Sequence, residues 1–280
     1  MDLSNGANYS YAGLNLKGFS LSGIRTAISV PDLSLTFDVA QGYPFLLNLK
    51  QFFLSHGHLD HAAGVPYIIS QKAMNHQPPP QFYMPQSLVE PLDHIMKIWQ
   101  QIEGHEYKYD FIPVKADLEI PVKGNYFVKV FPTKHRIDSF GYTLFEFHKK
   151  LSPKYQGLSQ DELMKLKKEG HPLNESIRTP VLSFTGDTQI EFLHSRPWVK
   201  HSKILLLEAT YLDDRKPIEH ARTWGHTHLH EILSRLEEIE SEKIVLIHTS
   251  SRYTWEEAQK LVYQQVPAKH RHRVELFPGR

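Results

Sequence analysis

The sequence predicts a layered α/β domain, and three observations carry that prediction. Short apolar runs alternate with helical patterns through the carboxy-terminal third, the arrangement that builds a sheet covered by helices. No stretch rich in Gly, Ser or Pro divides the 280 residues and no short repeat is present, so residues 1–280 read as a single domain. Five of the apolar runs stop at a residue able to bind or polarise a ligand: His56, His135, Asp187, Glu208 and His248. In open α/β sheets, sites gather at the carboxyl ends of strands.

Taken in order, residues 19–24 and 27–30 read as short strands, and 33–37 alternates with period two. Pro31-Asp32 supplies the turn before it. The apolar run 52–54 reads as a buried strand, and residues 62–75 as a helix. A Pro-rich break at 78–80 leads to a short strand near 82–84. From Ser87 an amphipathic helix carries Leu88, Leu92, Ile95, Ile98 and Ile102 at helical spacing. Residues 125–130 alternate again and run to Pro132-Thr133-Lys134-His135, and 141–147 forms the next strand. Residues 148–178 differ from their surroundings. They hold Lys149, Lys150, Lys154, Lys165, Lys167 and Lys168 around one helical pattern at 160–168. They read as a charged excursion from the core, although an ordinary solvated loop and helix would share that composition. Strands at 181–184, 204–207, 244–247 and 274–277 then alternate with helices. One of these, at 227–240, places Leu229, Ile232, Leu233, Leu236 and Ile239 on one face; the other spans 255–266.

Composition narrows the function. A net charge of +1 gives no global basic field, so any nucleic-acid binding must come from local patches. The absence of cysteine removes disulfides, Cys-based zinc sites and a thiol nucleophile together. It suits a reducing compartment, and a cytoplasmic location is expected. Residues 1–6 hold neither a basic nor an apolar signal region. No apolar stretch approaches the roughly 20 residues of a membrane span, so no membrane partner is expected.

The excess is histidine, 18 in all. Ser55-His56-Gly57-His58-Leu59-Asp60-His61 follows the apolar run 52–54 directly, so a tight turn crowds imidazoles and a carboxylate together. Such crowding is electrostatically poor unless a cation sits among them, and these are the ligands that zinc, manganese or iron(II) accept. His56 and His58 can turn toward one ion, with Asp60 and His61 addressing a second beside it.

His-x-His-x-Asp-His behind a buried strand resembles the signature of the metallo-β-lactamase superfamily. The resemblance implies an αββα sandwich of two mixed sheets flanked by helices. It gives His56, His58 and His135 to one metal and Asp60, His61 and His248 to the other, with Asp187 of Gly186-Asp187-Thr188 bridging them. The implied cofactor is two Zn2+, with Mn2+ or Fe2+ as alternatives, holding a hydroxide nucleophile between them. Asp38 matches the family's aspartate that hydrogen-bonds and orients a ligand histidine; a turn cap would also account for it.

Within that superfamily, Glu208-Ala209-Thr210, Gly225-His226-Thr227-His228 and His248-Thr249-Ser250-Ser251-Arg252-Tyr253 resemble the signatures of ribonuclease Z, the tRNA 3′-processing endonuclease. Phe140-Gly141-Tyr142 fits as well. The spacing Leu212-Asp213-Asp214…Glu219-His220-Ala221-Arg222…Gly225-His226 is most like the short plant form. The resemblance implies removal of the 3′ trailer from precursor tRNA by a homodimer. His226 would protonate the departing ribose oxygen, Glu208 would fix its tautomer, and Asp60 would act as a base for the water proton. His226 could instead simply begin a helix, and Glu208 cap a loop. Arg252 is a candidate phosphate contact. The excursion 148–178 stands where the family carries its substrate-gripping arm, so Lys165, Lys167 and Lys168 are candidate tRNA contacts.

The chain departs from the bacterial pattern in lacking a Pro-x-Lys-x-Arg-Asn loop near its amino terminus, which puts discrimination against CCA-bearing tRNA in doubt. It also lacks the longer Gly-Pro-rich arm. These departures keep open a second reading, a metal-dependent hydrolase of small phosphodiesters such as cyclic nucleotides. A catalytically silent RNA-binding relative is a third, against which the intact ligand set argues.

Overall fold

The computed structural model describes residues 5–279; residues 1–4, on which much of the signal-peptide reading falls, lie outside them. One sheet runs β1 (Ala7–Tyr11), β2 (Leu14–Ser22), β3 (Arg25–Val30), β4 (Leu35–Phe37), β5 (Gln51–Phe53), β6 (Gln81–Pro85) and β7 (Asp110–Val114) in sequence order. It is antiparallel as far as β4 and parallel beyond it. The second sheet holds β8 (Glu119–Pro121), β9 (Tyr126–Pro132), β10 (Phe140–Leu151), β11 (Asn174–Phe184), β12 (Ile204–Glu208) and β13 (Lys243–Ile247). A short β14 (Thr249–Ser250) crosses back to pair with β2, and β15 (Val274–Leu276) closes the second sheet beside β13.

Side-chain parity explains the layering, because successive residues of a strand point to opposite faces. Phe53 on β5 and Ile204 and Leu206 on β12 enter one core between the sheets, together with Phe37, Tyr142 and Phe184. Their neighbours Phe52 and Leu54 turn outward beneath α2 (Val65–Met74) and α3 (Gln86–Glu103), which follow the one-turn α1 (Leu59–Ala62). Leu205 and Leu207 turn outward against the helices of the other face. Strands buried on both faces read as continuous apolar runs, which is why these were legible in the sequence. The result is the expected αββα sandwich.

Several elements differ from expectation. Ser34 adopts a left-handed conformation (φ 58°) after a 3-10 turn at Pro31–Leu33, so the strand begins only at Leu35. β1, β7 and β8 were not expected; they are edge strands with mixed exposure, and β7 and β8 contain proline, which removes the apolar pattern. On α3, Leu92 and Met96 are buried, whereas Ile95, Ile98 and Ile102 are exposed with Trp99. β10 and β11 continue outward as a paired hairpin from Tyr142/Phe184 to Leu151/Asn174. The 148–178 excursion is therefore an arm whose tip carries α4 (Gln160–Lys168), started by a Ser159–Glu162 capping box.

The second sheet is covered by α5 (Phe192–Ser195), α6 (Pro197–Lys200), α8 (Leu229–Leu233) and α9 (Trp255–Gln265), and α7 (Ile218–Thr223) precedes α8 in the chain. The helix expected over 227–240 thus ends at Leu233. Leu236 and Ile239 stay buried, but their carbonyls accept from the Arg273 guanidinium at 2.5 and 2.6 Å rather than from a continuing helix.

Candidate metal centre

His56, His135, Asp187 and His248 stand just past the carboxyl ends of β5, β9, β11 and β13, and Glu208 ends β12. The turn after β5 brings His56 Nε2 to 3.0 Å from His58 Nδ1, which lies 3.3 Å from His135 Nε2. Asp187 Oδ2 is 3.7 Å from His56 Nε2. Beside this group, Asp60 Oδ2 is 3.4 Å from both His61 Nε2 and His248 Nε2, which are themselves 3.4 Å apart. Asp187 Oδ1 sits 3.5 Å from His61 Nε2 and 3.3 Å from His248 Nε2. The two oxygens of one carboxylate thus face two clusters.

These spacings fit metal ions. Ligand atoms about 2.0–2.1 Å from a zinc ion stand roughly 3.3 Å from one another at tetrahedral angles. Asp187 Oδ1 is buried and receives no hydrogen bond, a costly state for a carboxylate oxygen unless a cation completes it. Burial, with neighbouring imidazoles, lowers the pKa values of His56 and His58; at His135, burial outweighs the pull of Asp187. All three therefore stay neutral and keep a lone pair for an ion. Asp187 and Asp60 are held below the usual carboxylate range because the histidines around them outweigh burial.

Four of the five ligand-type histidines, His56, His61, His135 and His248, are oriented through their other nitrogen, as is usual in such sites. His61 Nδ1 donates to Asp38 at 2.7 Å, and Asp38 accepts the Ser55 amide and hydroxyl at 2.7 and 2.8 Å. Ser55 Oγ gives its proton to Asp38, so it accepts from His56 Nδ1 at 2.9 Å. His135 Nδ1 donates to the Gly225 carbonyl at 2.8 Å, and His248 Nδ1 to Thr210 Oγ1 at 3.0 Å. Asp60 Oδ2 also accepts the Gly23 amide at 2.9 Å. Asp38 (φ 54°) and His248 (φ 57°) hold left-handed backbone, a strain that persists where the surroundings fix it.

Next to the cluster, His226 Nδ1 donates to Glu208 Oε1 at 3.1 Å. Glu208 is saturated: the amides of Thr188 and Thr227 share that oxygen, and the amide and hydroxyl of Thr210 occupy the other. Burial lowers the pKa of His226, but Glu208 and then Asp187 outweigh it and raise it to about 9. His226 also lies within ligand range of Asp187 and His248, although its Nδ1 is engaged by Glu208.

All seven ligand candidates, with Asp38, Glu208 and His226, come together. Arg252 is exposed in the turn after β14, close enough to Tyr211 and His220 to act on them electrostatically. Lys165, Lys167 and Lys168 lie at the arm tip on α4, and that helix buries no residue. The sequence reading gave no role to Ser55, Gly23 or the Gly225 carbonyl. A backbone group carries no residue-type signal, so only Ser55 and Thr210, inside recognised motifs, could have been flagged. Among the described residues no helix is long and apolar enough to cross a membrane.

Comparison with known proteins agrees with this geometry. Residues 39–269 match the family model described as Anti-Pycsar protein Apyc1. The chain is 33% identical over 252 residues to tRNase Z TRZ1 of Arabidopsis thaliana, covering 89% of this chain and 90% of that protein. It is 32% identical over 255 residues to the chloroplastic tRNase Z TRZ2 of the same plant, covering 90% and 71%. The structure of the short form of human tRNase Z superposes with a TM-score of 0.57 at 17% identity, covering 98% and 94% of the two chains. The metallo-β-lactamase-fold protein YhfI of Bacillus subtilis gives 0.60 at 15% identity, covering 92% and 93%. With its two sheets and histidine clusters in place, and with 33% identity to TRZ1 across about nine-tenths of both chains, the chain belongs to the tRNase Z family of metallo-β-lactamase-fold hydrolases.

Proposed function

We propose that this protein is a metal-dependent endoribonuclease that removes the 3′ trailer from precursor tRNA. One observation carries the reading: Asp187 offers one oxygen to each of two histidine clusters, and its Oδ1 is buried without a hydrogen-bond donor. His56, His58 and His135 would hold one zinc ion and Asp60, His61 and His248 the other, with Asp187 between them. Bound there, such a pair lowers the pKa of water and neutralises charge on phosphoryl oxygens.

The chain's own residues supply the rest. Glu208 holds the Nδ1 proton of His226, leaving Nε2 as the nitrogen that delivers a proton to the departing ribose oxygen. Asp60 serves as the base for the water proton. Arg252, exposed beside Tyr211 and His220, neutralises a substrate phosphate, and Lys165, Lys167 and Lys168 hold phosphates of the tRNA body. The protein works as a homodimer, supported by the exposed Ile95, Ile98, Trp99 and Ile102 of α3; such a contiguous apolar face marks an interface. The cysteine-free composition supports a cytoplasmic location.

A second reading, hydrolysis of small phosphodiesters such as cyclic nucleotides, is favoured by the short arm, one hairpin and one nine-residue helix. Incubation with an unprocessed precursor tRNA, beside bis-p-nitrophenyl phosphate, separates the two. A tRNA ending in a 3′-hydroxyl and a trailer bearing a 5′-phosphate support the nuclease; turnover of the small diester alone supports the second reading.

A further inference from the structure

Two residues before His226, Trp224 leaves 46% of its surface exposed, and neither the metal cluster nor the Glu208–His226 pair uses it. One face of its ring is covered by the Arg136 guanidinium, 4.6 Å from the ring, directly after His135 in the chain. Their chain neighbours are joined by a side-chain-to-backbone bond. His135 Nδ1 donates to Gly225 O, and a Cβ on Gly225 would lie 2.8 Å from His135 Nδ1 and 3.0 Å from the Arg136 amide. The residue that follows Trp224 is thus tied to a ligand candidate of the cluster. His220 stands 6.4 Å from the indole, and Tyr211 bridges His220 at 5.3 Å to His226 at 6.4 Å. The cations Lys216 and Arg252, after burial, lower the pKa of His220, so positive charge lines the same rim. A partly exposed indole backed by a guanidinium among cations is the composition of a nucleobase-stacking platform.

We propose that Trp224, supported by Arg136, stacks the base of the nucleotide whose 3′-oxygen leaves. This rests on the nuclease reading above and on His226 as the proton donor. As water attacks phosphorus and the P–O3′ bond breaks, the His226 proton passes to O3′. The nucleotide on the 5′ side of the cut is thus the one beside His226, and its base is the one within reach of Trp224. Stacking tolerates every base, so the platform positions this nucleotide without demanding its identity.

The test compares two RNAs that differ only at the nucleotide 5′ of the cut, one with its base and one abasic. Trp224→Ala should lower kcat/KM on the base-bearing RNA about tenfold or more, the effect of losing one stacked base. The loss on the abasic RNA should be at least about fivefold smaller. Trp224→Tyr, which keeps an aromatic face, should restore most of the activity, and the metal content and melting temperature of all variants should match the parent. Equal losses on both RNAs, or no recovery with tyrosine, would overturn the platform. If the parent enzyme leaves both RNAs uncut while hydrolysing bis-p-nitrophenyl phosphate, the nuclease reading fails, and this assignment with it. If the parent cuts the base-bearing and abasic RNAs equally well, the nuclease reading stands and the platform alone is refuted.

Discussion

His248 donates its Nδ1 proton to Thr210 Oγ1 at 3.0 Å, and that hydroxyl passes its own proton to Glu208 Oε2 at 2.9 Å. One threonine therefore ties a ligand of the candidate metal centre to the carboxylate that holds His226. The direction of both bonds is fixed, because an ionised carboxylate can only accept.

Thr210→Val removes both bonds at nearly constant volume. It should weaken metal binding at the Asp60–His61–His248 cluster by about 10- to 100-fold, the usual effect of losing a partner that orients a ligand. Thr210→Ser should restore it. Metal titration by calorimetry reads the result, and unchanged affinity in the valine variant would show that His248 is held by packing alone.

His226→Ala should lower turnover by about 10²- to 10⁴-fold, the range for one acid–base group, while metal content stays at the parent level. Steady-state kinetics beside elemental analysis makes the distinction. Loss of metal in parallel with turnover would make His226 a ligand or a structural residue.

Gly225 holds φ 76°, and an added Cβ would meet His135 Nδ1 and the Arg136 backbone. Gly225→Ala should cost roughly 1–3 kcal/mol of stability and reduce metal affinity through His135. Thermal denaturation with and without chelator reads both effects. A variant as stable as the parent in both conditions would mean that the loop relaxes freely.

Replacing Lys165, Lys167 and Lys168 together by alanine should weaken precursor-tRNA cleavage and flatten its salt dependence, because fewer counterions are released. Hydrolysis of bis-p-nitrophenyl phosphate should persist. Equal losses on both substrates would remove the arm from RNA binding.

How far the sequence reached follows from where the information lies. The residues around Asp187 were legible because strands buried on both faces form apolar runs, and the polar residues that end them stand out. The excursion at 148–178 was legible from its charge, but its paired strands were not, because the outer halves of β10 and β11 are solvated and carry no period-two pattern. The α3 helix shows a related limit: helical spacing reports an apolar stripe but not whether this chain covers it, and Ile98 and Ile102 are exposed. The Ser55–Asp38 bond spans 17 positions and the His135–Gly225 carbonyl bond 90, pairings that no local pattern records.

The most direct measurement is the metal content of the purified protein and of Asp187→Ala. The parent should hold close to two transition ions per chain. In the variant the content should fall below one per chain, since both clusters lose an oxygen. A parent nearly free of metal after purification and reconstitution, or a variant that keeps both ions, would contradict the two-ion centre.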